Sequence, residues 1–327
     1  MVSIKEIAKH AGVSIATVSR VINYPDSVRD GKRQKVLASI KELNYKPNIQ
    51  ARNFRAQKSK NIIALIPNIR SPFITEVISG VFNTSKSLGY QVYIGTVEEN
   101  IESAKMYIGM LYSCQADGML ILSSSIGRTL LEKIKGQFPI ALCNEYFDDI
   151  DIDSVTIDNK KAAFDAVSYL YQCGRRNIAY IGGKNYSIST ELRIQGYKEA
   201  LAEYGLNFSE DNILYSSSNT YDFENGFESV LKNETLDGFV INSDLRAARF
   251  IRRLKDEHRF SGSKVGIISF DGTYVAELCD PRITTITQPM YDIGKKSVEL
   301  LIRKIESKNL NDFQKIFLPY EITVRDT

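Results

Sequence analysis

Imidazole is scarce in this chain. Its 327 residues include two histidines, His10 and His258, so a histidine-based acid–base or nucleophilic mechanism lacks its usual parts. The four cysteines, Cys114, Cys143, Cys173 and Cys279, are widely scattered and form no CxxC pair. They are expected to be reduced thiols, and with so few imidazoles no zinc site or other metal site is expected. No GxSxG elbow, GxxxxGK loop or GxGxxG loop occurs. The pair Gly182-Gly183 is a single tight turn and weak evidence for a nucleotide loop. A protein that is not an enzyme and carries no cofactor is the expectation. No apolar run reaches the roughly 18 residues that would span a bilayer. The amino terminus also lacks the apolar stretch of a secretory signal. Together these point to a cytoplasmic protein without membrane contact.

Apolar residues make up 43% and charged residues 25% of the chain, which is ordinary for a folded soluble protein. The length suits one small and one or two larger domains. Charge is unevenly spread. Residues 1–60 hold 13 Lys and Arg against 4 Asp and Glu, a net +9, and the remainder carries −6. A basic head on an acidic body suits a polyanionic partner for the head alone.

The head reads as a helix-turn-helix. Ser3 followed by Glu6 is a capping box. Ile4, Ile7 and Ala8 make one apolar stripe, and Gly12 supplies a left-handed helix stop. Ser14 caps a second helix, running to about Val21, that buries Val13, Val18 and Val21. Ile15, Ala16, Thr17, Ser19 and Arg20 then face outward. Arg20 can donate twice to a guanine edge, and Ala16 or Ile15 can touch a thymine methyl. Thr17 and Ser19 are sized for phosphate oxygens. Asn23, at the end of this helix, joins the candidate DNA contacts. A third helix is expected from about Arg29 to Asn44, closing the small core with Val36, Leu37, Ile40 and Leu43. Pro47 ends the run. The segment 48–60 is basic and polar, includes Arg52, and has one lone aromatic, Phe54.

From Asn61 the pattern alternates. Short β-rich runs at 62–67, 90–96, 118–124, 140–144, 177–183, 238–242 and 265–271 are separated by amphipathic helical stretches, among them 75–88, 159–172, 190–204 and 244–257. This rhythm predicts an α/β body of doubly wound parallel sheets. Two lobes fit, the first at about 61–157 and 289–317, the second at about 158–288 and 318–327. They follow an all-α helix-turn-helix domain at 1–46 and a hinge linker at 47–60. Ligands of doubly wound sheets bind beyond the carboxyl ends of the strands. The polar residues there are Asn144 and Glu145, the trio Asn242, Ser243 and Asp244, Asp271 and Gln288, with Arg193 opening a helix. A carboxylate such as Asp271 can accept from two adjacent hydroxyls, and Arg193 can donate to their oxygens. Such a set suits a sugar ring. Phe73 in the first lobe and Tyr221 in the second could sandwich a planar base; core packing serves Phe73 equally well.

The stretches VSIATVSRVIN (13–23) and LNYKPNIQAR (43–52) resemble the LacI/GalR family of bacterial transcriptional repressors, and the likeness continues through most of the body. The resemblance implies a dimer that reads an operator with the second helix, and two lobes like those of periplasmic binding proteins. It implies a linker that folds into a hinge helix and wedges a side chain into the minor groove. Phe54 lies where that wedge is usually leucine, so the hinge departs from the pattern there. It also implies that Arg193, Asn242, Asp271 and Gln288 line an effector pocket. The segments NEYFDD (144–149), TIDNKKAAFDAVSYLYQCG (156–174) and LCDPRITTITQPMYDIG (278–294) look like the cytidine-repressor branch. The expectation is therefore a homodimeric, DNA-binding repressor controlled by a nucleoside such as cytidine, with a pentose or other sugar as the alternative effector. The chain stops without a heptad tail, which favours a dimer over a tetramer. A secreted solute-binding protein shares the body plan, but the basic head and missing signal argue against it.

Overall fold

The computed structural model describes residues 2–45, 58–97, 101–122, 126–183, 187–216, 227–231, 233–258 and 265–327. Two compact units divide the chain, Met1–Lys58 and Ser59–Thr327.

The first unit holds α1 (Ile4–Ala11), α2 (Ile15–Asn23) and α3 (Asp30–Glu42). Helix α1 starts on a reciprocal cap: Ser3 Oγ accepts the Glu6 N–H at 3.3 Å, and the Glu6 carboxylate accepts the Ser3 N–H at 2.7 Å. Gly12, at φ 64°, ends it by returning its N–H to the Ala8 and Lys9 carbonyls, a left-handed step that costs glycine least. Ile7, Ala8, Ala11, Val18, Val21 and Val36 form the core, with Val13, Ile40 and Leu43 packed against it. Leu37 does not close this core as its sequence suggests, being 49% exposed. Val36 and Ser39 occupy the inner face of α3, and the next position along a helix turns about 100° away from its neighbour. Ser39 is tolerated inside because its hydroxyl donates to the Lys35 carbonyl at 2.9 Å and lies 3.0 Å from His10 Nδ1. One of the two imidazoles thus links α1 to α3.

The second unit runs β1 (Asn61–Ile66), α4 (Pro72–Ser87), β2 (Gln91–Thr96), α5 (Ile101–Tyr112), β3 (Gly118–Ile121), α6 (Arg128–Lys135), β4 (Ile140–Cys143) and β5 (Asp153–Thr156). It continues through α7 (Asn159–Gln172), β6 (Ile178–Gly183), α8 (Ile188–Glu203), β7 (Ile213–Ser216), α9 (Glu228–Leu231), β8 (Gly238–Ile241), α10 (Asp244–Asp256), β9 (Gly266–Asp271), α11 (Tyr274–Leu278) and β10 (Thr284–Thr287). It closes with α12 (Met290–Ser307), β11 (Lys315–Phe317) and β12 (Glu321–Thr323). The strands form two sheets, ordered β11-β5-β4-β3-β1-β2 and β12-β10-β9-β8-β6-β7. All pairings are parallel except β12 against β10. The chain crosses between sheets after β5, after β10 and after β11. The central strands of each sheet are buried on both faces, so strands such as Ile62–Ile66 are continuously apolar, as parallel sheets require.

Each lobe also has one intimate helix pair. A Cβ on Gly80 of α4 would strike the Tyr291 carbonyl, one on Gly294 of α12 the Val77 carbonyl, and one on Gly196 of α8 the Lys160 carbonyl of α7. The backbones approach too closely for any side chain. The first sheet buries a charge pair as well: Asp153 of β5 is fully buried, with Lys304 Nζ at 2.9 Å, Arg303 Nη2 at 3.4 Å and the Gln314 N–H donating at 2.8 Å.

Candidate functional site

In the amino-terminal unit, Val18 and Val21 turn inward and leave a polar outer face on α2. Ile15, Ala16, Arg20 and Asn23 are exposed, and Thr17 and Ser19 are half-buried. Ser14 caps the helix, accepting the Thr17 N–H at 3.2 Å with its oxygen 2.9 Å from Thr17 Oγ1. Asn23 folds back to donate to the Ser19 carbonyl at 2.9 Å and Ser19 Oγ at 3.3 Å. Four small polar groups are therefore held in place as two pairs, Ser14 with Thr17 and Ser19 with Asn23. Among the described residues no acidic side chain pairs with Arg20. Arg52 and Phe54 lie outside the described residues, with most of the linker.

The second unit gathers polar groups at the carboxyl ends of its strands. Arg193, on the second turn of α8, is 5% exposed. Its Nε donates to Asn159 Oδ1 at 2.8 Å and its Nη1 to the Asn242 carbonyl at 3.1 Å. The guanidinium lies 3.9 Å above the Phe270 ring, a stack that an arginine's planar cation favours. Burial depresses its pKa, while Asp271 and Glu145 act the other way; the group still stays cationic.

Asp271 ends β9 at φ 111° and Asn144 follows β4 at φ 63°. Positive φ costs a non-glycine residue of order 1–3 kcal/mol and collects at functional sites. The Asp271 carboxyl is pushed up to about 7, first by burial and then by Asp244, against the pull of Arg193, Arg246 and the Gln288 amide. Gln288 Nε2 donates to Asp271 Oδ1 at 3.0 Å, which leaves Gln288 Oε1 buried and unpartnered. Glu145 reaches from the first lobe to the start of α8. Burial pushes its carboxyl up to about 7, against the N–H groups of Ser189 and Ile188 and the charge of Arg193. Among the described residues its Oε2 and Asn144 Oδ1 have no hydrogen-bond partner. The carboxyls of Asp271 and Glu145 both act on the buried Arg193, and acceptors beside them without partners among the described residues suit hydroxyl donors.

The structure brings Asn144, Glu145, Arg193, Asn242, Asp271 and Gln288 into this neighbourhood. Two strand-end candidates prove to be structural. Ser243 caps α10. Asp244 is fully buried and accepts from Ser269 Oγ (2.5 Å), Thr273 N (2.6 Å), Thr273 Oγ1 (2.8 Å) and Thr285 Oγ1 (2.8 Å), so its lone pairs are taken. Phe73 is 6% exposed and sits in the hydrophobic cluster with Ile66 and Val77. Tyr221 lies outside the described residues.

Comparison with known proteins agrees with this arrangement. Residues 3–48 match bacterial regulatory proteins of the lacI family, and residues 59–322 match the periplasmic binding proteins and sugar binding domain of the LacI family. The chain belongs to the LacI family of DNA-binding transcriptional regulators. It is 34% identical to the HTH-type transcriptional regulator RegA of Clostridium saccharobutylicum, over 99% of this chain and 98% of that protein. It is 31% identical to the HTH-type transcriptional repressor CytR of Escherichia coli (strain K12), over 99% and 95% of the two chains. Among solved structures it is similar to the transcriptional regulator CelR in complex with cellobiose, with 26% identity, a TM-score of 0.75 and coverage of 100% and 99%. No helix among the described residues is long and apolar enough to cross a membrane.

Within this LacI-family receptor, sequence reasoning passed over three polar residues that border Arg193. Asn159 opens α7 and ties Arg193 to the first crossover between lobes, while its own amide donates to Thr156 Oγ1 at 3.2 Å and the Ile157 carbonyl at 3.3 Å. Tyr180 sits mid-strand in an apolar run, fully buried, its hydroxyl unpartnered. Arg246 lies on the first turn of α10 and donates through Nη1 to Asn242 Oδ1 at 2.9 Å. Only Arg246 carried a legible signal, four residues beyond Asn242 at helical spacing.

Proposed function

We propose that this LacI-family regulator is a homodimeric repressor whose operator affinity is set by a small hydroxylated effector held between its lobes. The observation that carries the reading is the convergence of Arg193, Asn242, Asp271 and Gln288 at the strand ends of the second sheet, faced by Glu145 from the first. Asp271 and Gln288 offer acceptors to adjacent hydroxyls, and Arg193 donates to ring or hydroxyl oxygens. The described sugar-binding family of the receptor and the cellobiose complex of a similar regulator support a sugar-bearing ligand.

A furanose fits this set, either free as a pentose or as part of a nucleoside such as cytidine. The nucleoside reading draws on the likeness to CytR, at 31% identity, and needs a stacking ring. Phe73 serves as that ring only if ligand binding draws it out of the core cluster.

On the DNA side, Arg20, Ala16 and Ile15 read base edges in the major groove, and Ser14, Thr17, Ser19 and Asn23 engage the backbone. The basic linker, through Arg52 and Phe54, engages the minor groove. The test removes residues 1–58. The remaining receptor is expected to keep its thermal shift with cytidine or ribose and to lose duplex binding. A truncated chain that still binds duplex DNA with sequence preference would sink the assignment.

A further inference from the structure

Each lobe starts a central strand with an Asp-Gly step, and one of the two steps meets the linker. The receptor unit begins at Ser59, directly after the basic segment. At the amino end of β3, one oxygen of Asp117 accepts the Ser59 N–H at 2.6 Å and the Ser59 hydroxyl at 2.7 Å. The other accepts the Lys60 N–H at 2.9 Å. Ser59 Oγ in turn accepts the Asn61 N–H at 3.2 Å, and the Asp117 N–H returns to the Asn61 carbonyl at 2.8 Å. The start of β1 is thus clamped from both sides of the peptide chain. Lys60 is held at φ 59°, a left-handed backbone that a residue with a side chain keeps only where its surroundings fix it. Its carbonyl accepts the Gln91 N–H at 2.8 Å, and its ammonium lies 4.1 Å above the Tyr90 ring.

In the second lobe Asp237 holds the matching place before β8. It accepts the N–H groups of Arg176 at 3.0 Å and Asn177 at 2.9 Å. Strand register pairs Ile62 with Gly118 and Ile178 with Gly238, so Asn177 is the counterpart of Asn61 and Arg175 that of Ser59. The grip of Asp237 therefore stops one residue short of the grip of Asp117. At Arg175 no carboxylate is needed, because its N–H already bonds the Leu170 carbonyl at 3.0 Å at the end of α7. The chain before β1 is the linker instead of a receptor helix. Asp117 reaches one residue further back and does at Ser59 what a helix end does at Arg175.

We infer that Asp117 is a positioning residue for operator binding: with Ser59 it fixes the backbone where the linker leaves the first lobe. This rests on the proposed engagement of DNA by the linker. Bonds from N–H and hydroxyl donors to a carboxylate are short and strong, and a backbone fixed beforehand has less ordering left to do when it binds. Asp117 lies at the amino ends of the strands, whereas the effector cluster lies at their carboxyl ends. Its effect on DNA binding is therefore independent of any ligand contact.

The test measures the dissociation constant of ligand-free, full-length variants for a duplex selected by the full chain from a randomised pool, with urea unfolding of each variant alongside. Asp117→Ala is expected to weaken binding about five-fold or more, the scale of ordering one freed backbone residue. Ser59→Gly removes the hydroxyl and frees the backbone outside β1, and it is expected to weaken binding in the same direction. A folding defect in the aspartate variant therefore does not remove the test. Asp237→Ala removes the corresponding carboxylate from the second lobe and is expected to leave duplex affinity unchanged in the folded protein. Binding like the unaltered chain in both Ser59→Gly and a folded Asp117→Ala overturns the inference. So does a loss in Asp237→Ala as large as that in Asp117→Ala, since both carboxylates would then serve only to start strands. Arg52→Ala separates the clamp from the linker: lost affinity there beside intact binding in the clamp variants rejects the clamp alone. Unchanged binding in Arg52→Ala and in both clamp variants counts against the linker's engagement of DNA.

Discussion

The two lobes bury the same kind of residue for opposite ends. In the first, Asp153 at the head of β5 is surrounded by Lys304, Arg303 and the Gln314 N–H. In the second, Asp271 at the foot of β9 has one side-chain partner, Gln288, and a carboxyl pushed up to about 7. One carboxylate is closed off by cations at the edge of its sheet. The other waits at a strand's carboxyl end among acceptors that lack partners. A buried carboxylate ion-paired to Lys304 describes scaffold, and one whose carboxyl is pushed up at a strand's carboxyl end marks a candidate ligand site.

The contrast is most exposed to test by removing each carboxylate. Asp153→Ala leaves Lys304 buried without its anion and is expected to destabilise the receptor by about 3–5 kcal/mol in urea unfolding. Asp271→Asn is expected to leave the chain at least as stable and still bound to duplex DNA, but deaf to effector. If Asp271→Asn unfolds the chain as Asp153→Ala does, the distinction between scaffold and site is lost.

The helix pairs predict similarity where the carboxylates predict difference. Gly80→Ala in the first lobe and Gly196→Ala in the second each drive a Cβ into a facing carbonyl. Each is expected to cost about 1–3 kcal/mol, the usual range for overpacking. A variant that leaves the urea midpoint unchanged would show that the two helices of that lobe separate freely.

The amino-terminal unit supplies a third kind of charge, exposed and unpaired. Arg20→Ala is expected to cost about 1–3 kcal/mol of duplex affinity and to relax preference at one base pair. A uniform loss over all sequences would instead assign Arg20 to the phosphate backbone.

A pH slope is expected as well. Asp271 and Glu145 have folded values raised to about 7 from 3.8 and 4.5. The folded state therefore binds protons more tightly than the unfolded chain. The stability this confers is complete below about pH 4 and is lost as pH rises through about 7. The melting temperature of ligand-free protein is expected to fall between about pH 4 and pH 7, and Asp271→Asn to flatten that fall. An equal slope in the variant would place the protons elsewhere.

These differences also mark what a sequence can reveal. Continuous apolar runs such as Ile62–Ile66 and the strongly amphipathic stretch of α10 were plain, because burial on both faces or on one face leaves a period. The strand β5, reading DSVT, and the strand β10, reading TTIT, were not. Their buried Asp153, Ser154, Thr284 and Thr285 are satisfied by partners such as Lys304, Gln314, Asp244 and the chain's final Thr327, and no local pattern announces a partner 40 to 160 residues away. The same reasoning explains the site. Asn242 and Asp271 end apolar runs and were legible there. Tyr180 was hidden inside such a run, and Asn159 sat behind a helix cap. Asp244 had the right position for a ligand contact, but three hydroxyls and an N–H from distant segments had already claimed it.

Loading the receptor is expected to change the grip of the basic head on DNA. This is tested most directly with a duplex selected by the full chain from a randomised pool. The dissociation constant is measured for that duplex with and without a saturating amount of whichever of cytidine and ribose binds more tightly. A change of about five-fold or more is expected, the scale of coupling between linked sites, and no change in Asp271→Asn. An identical constant with and without bound ligand would contradict it.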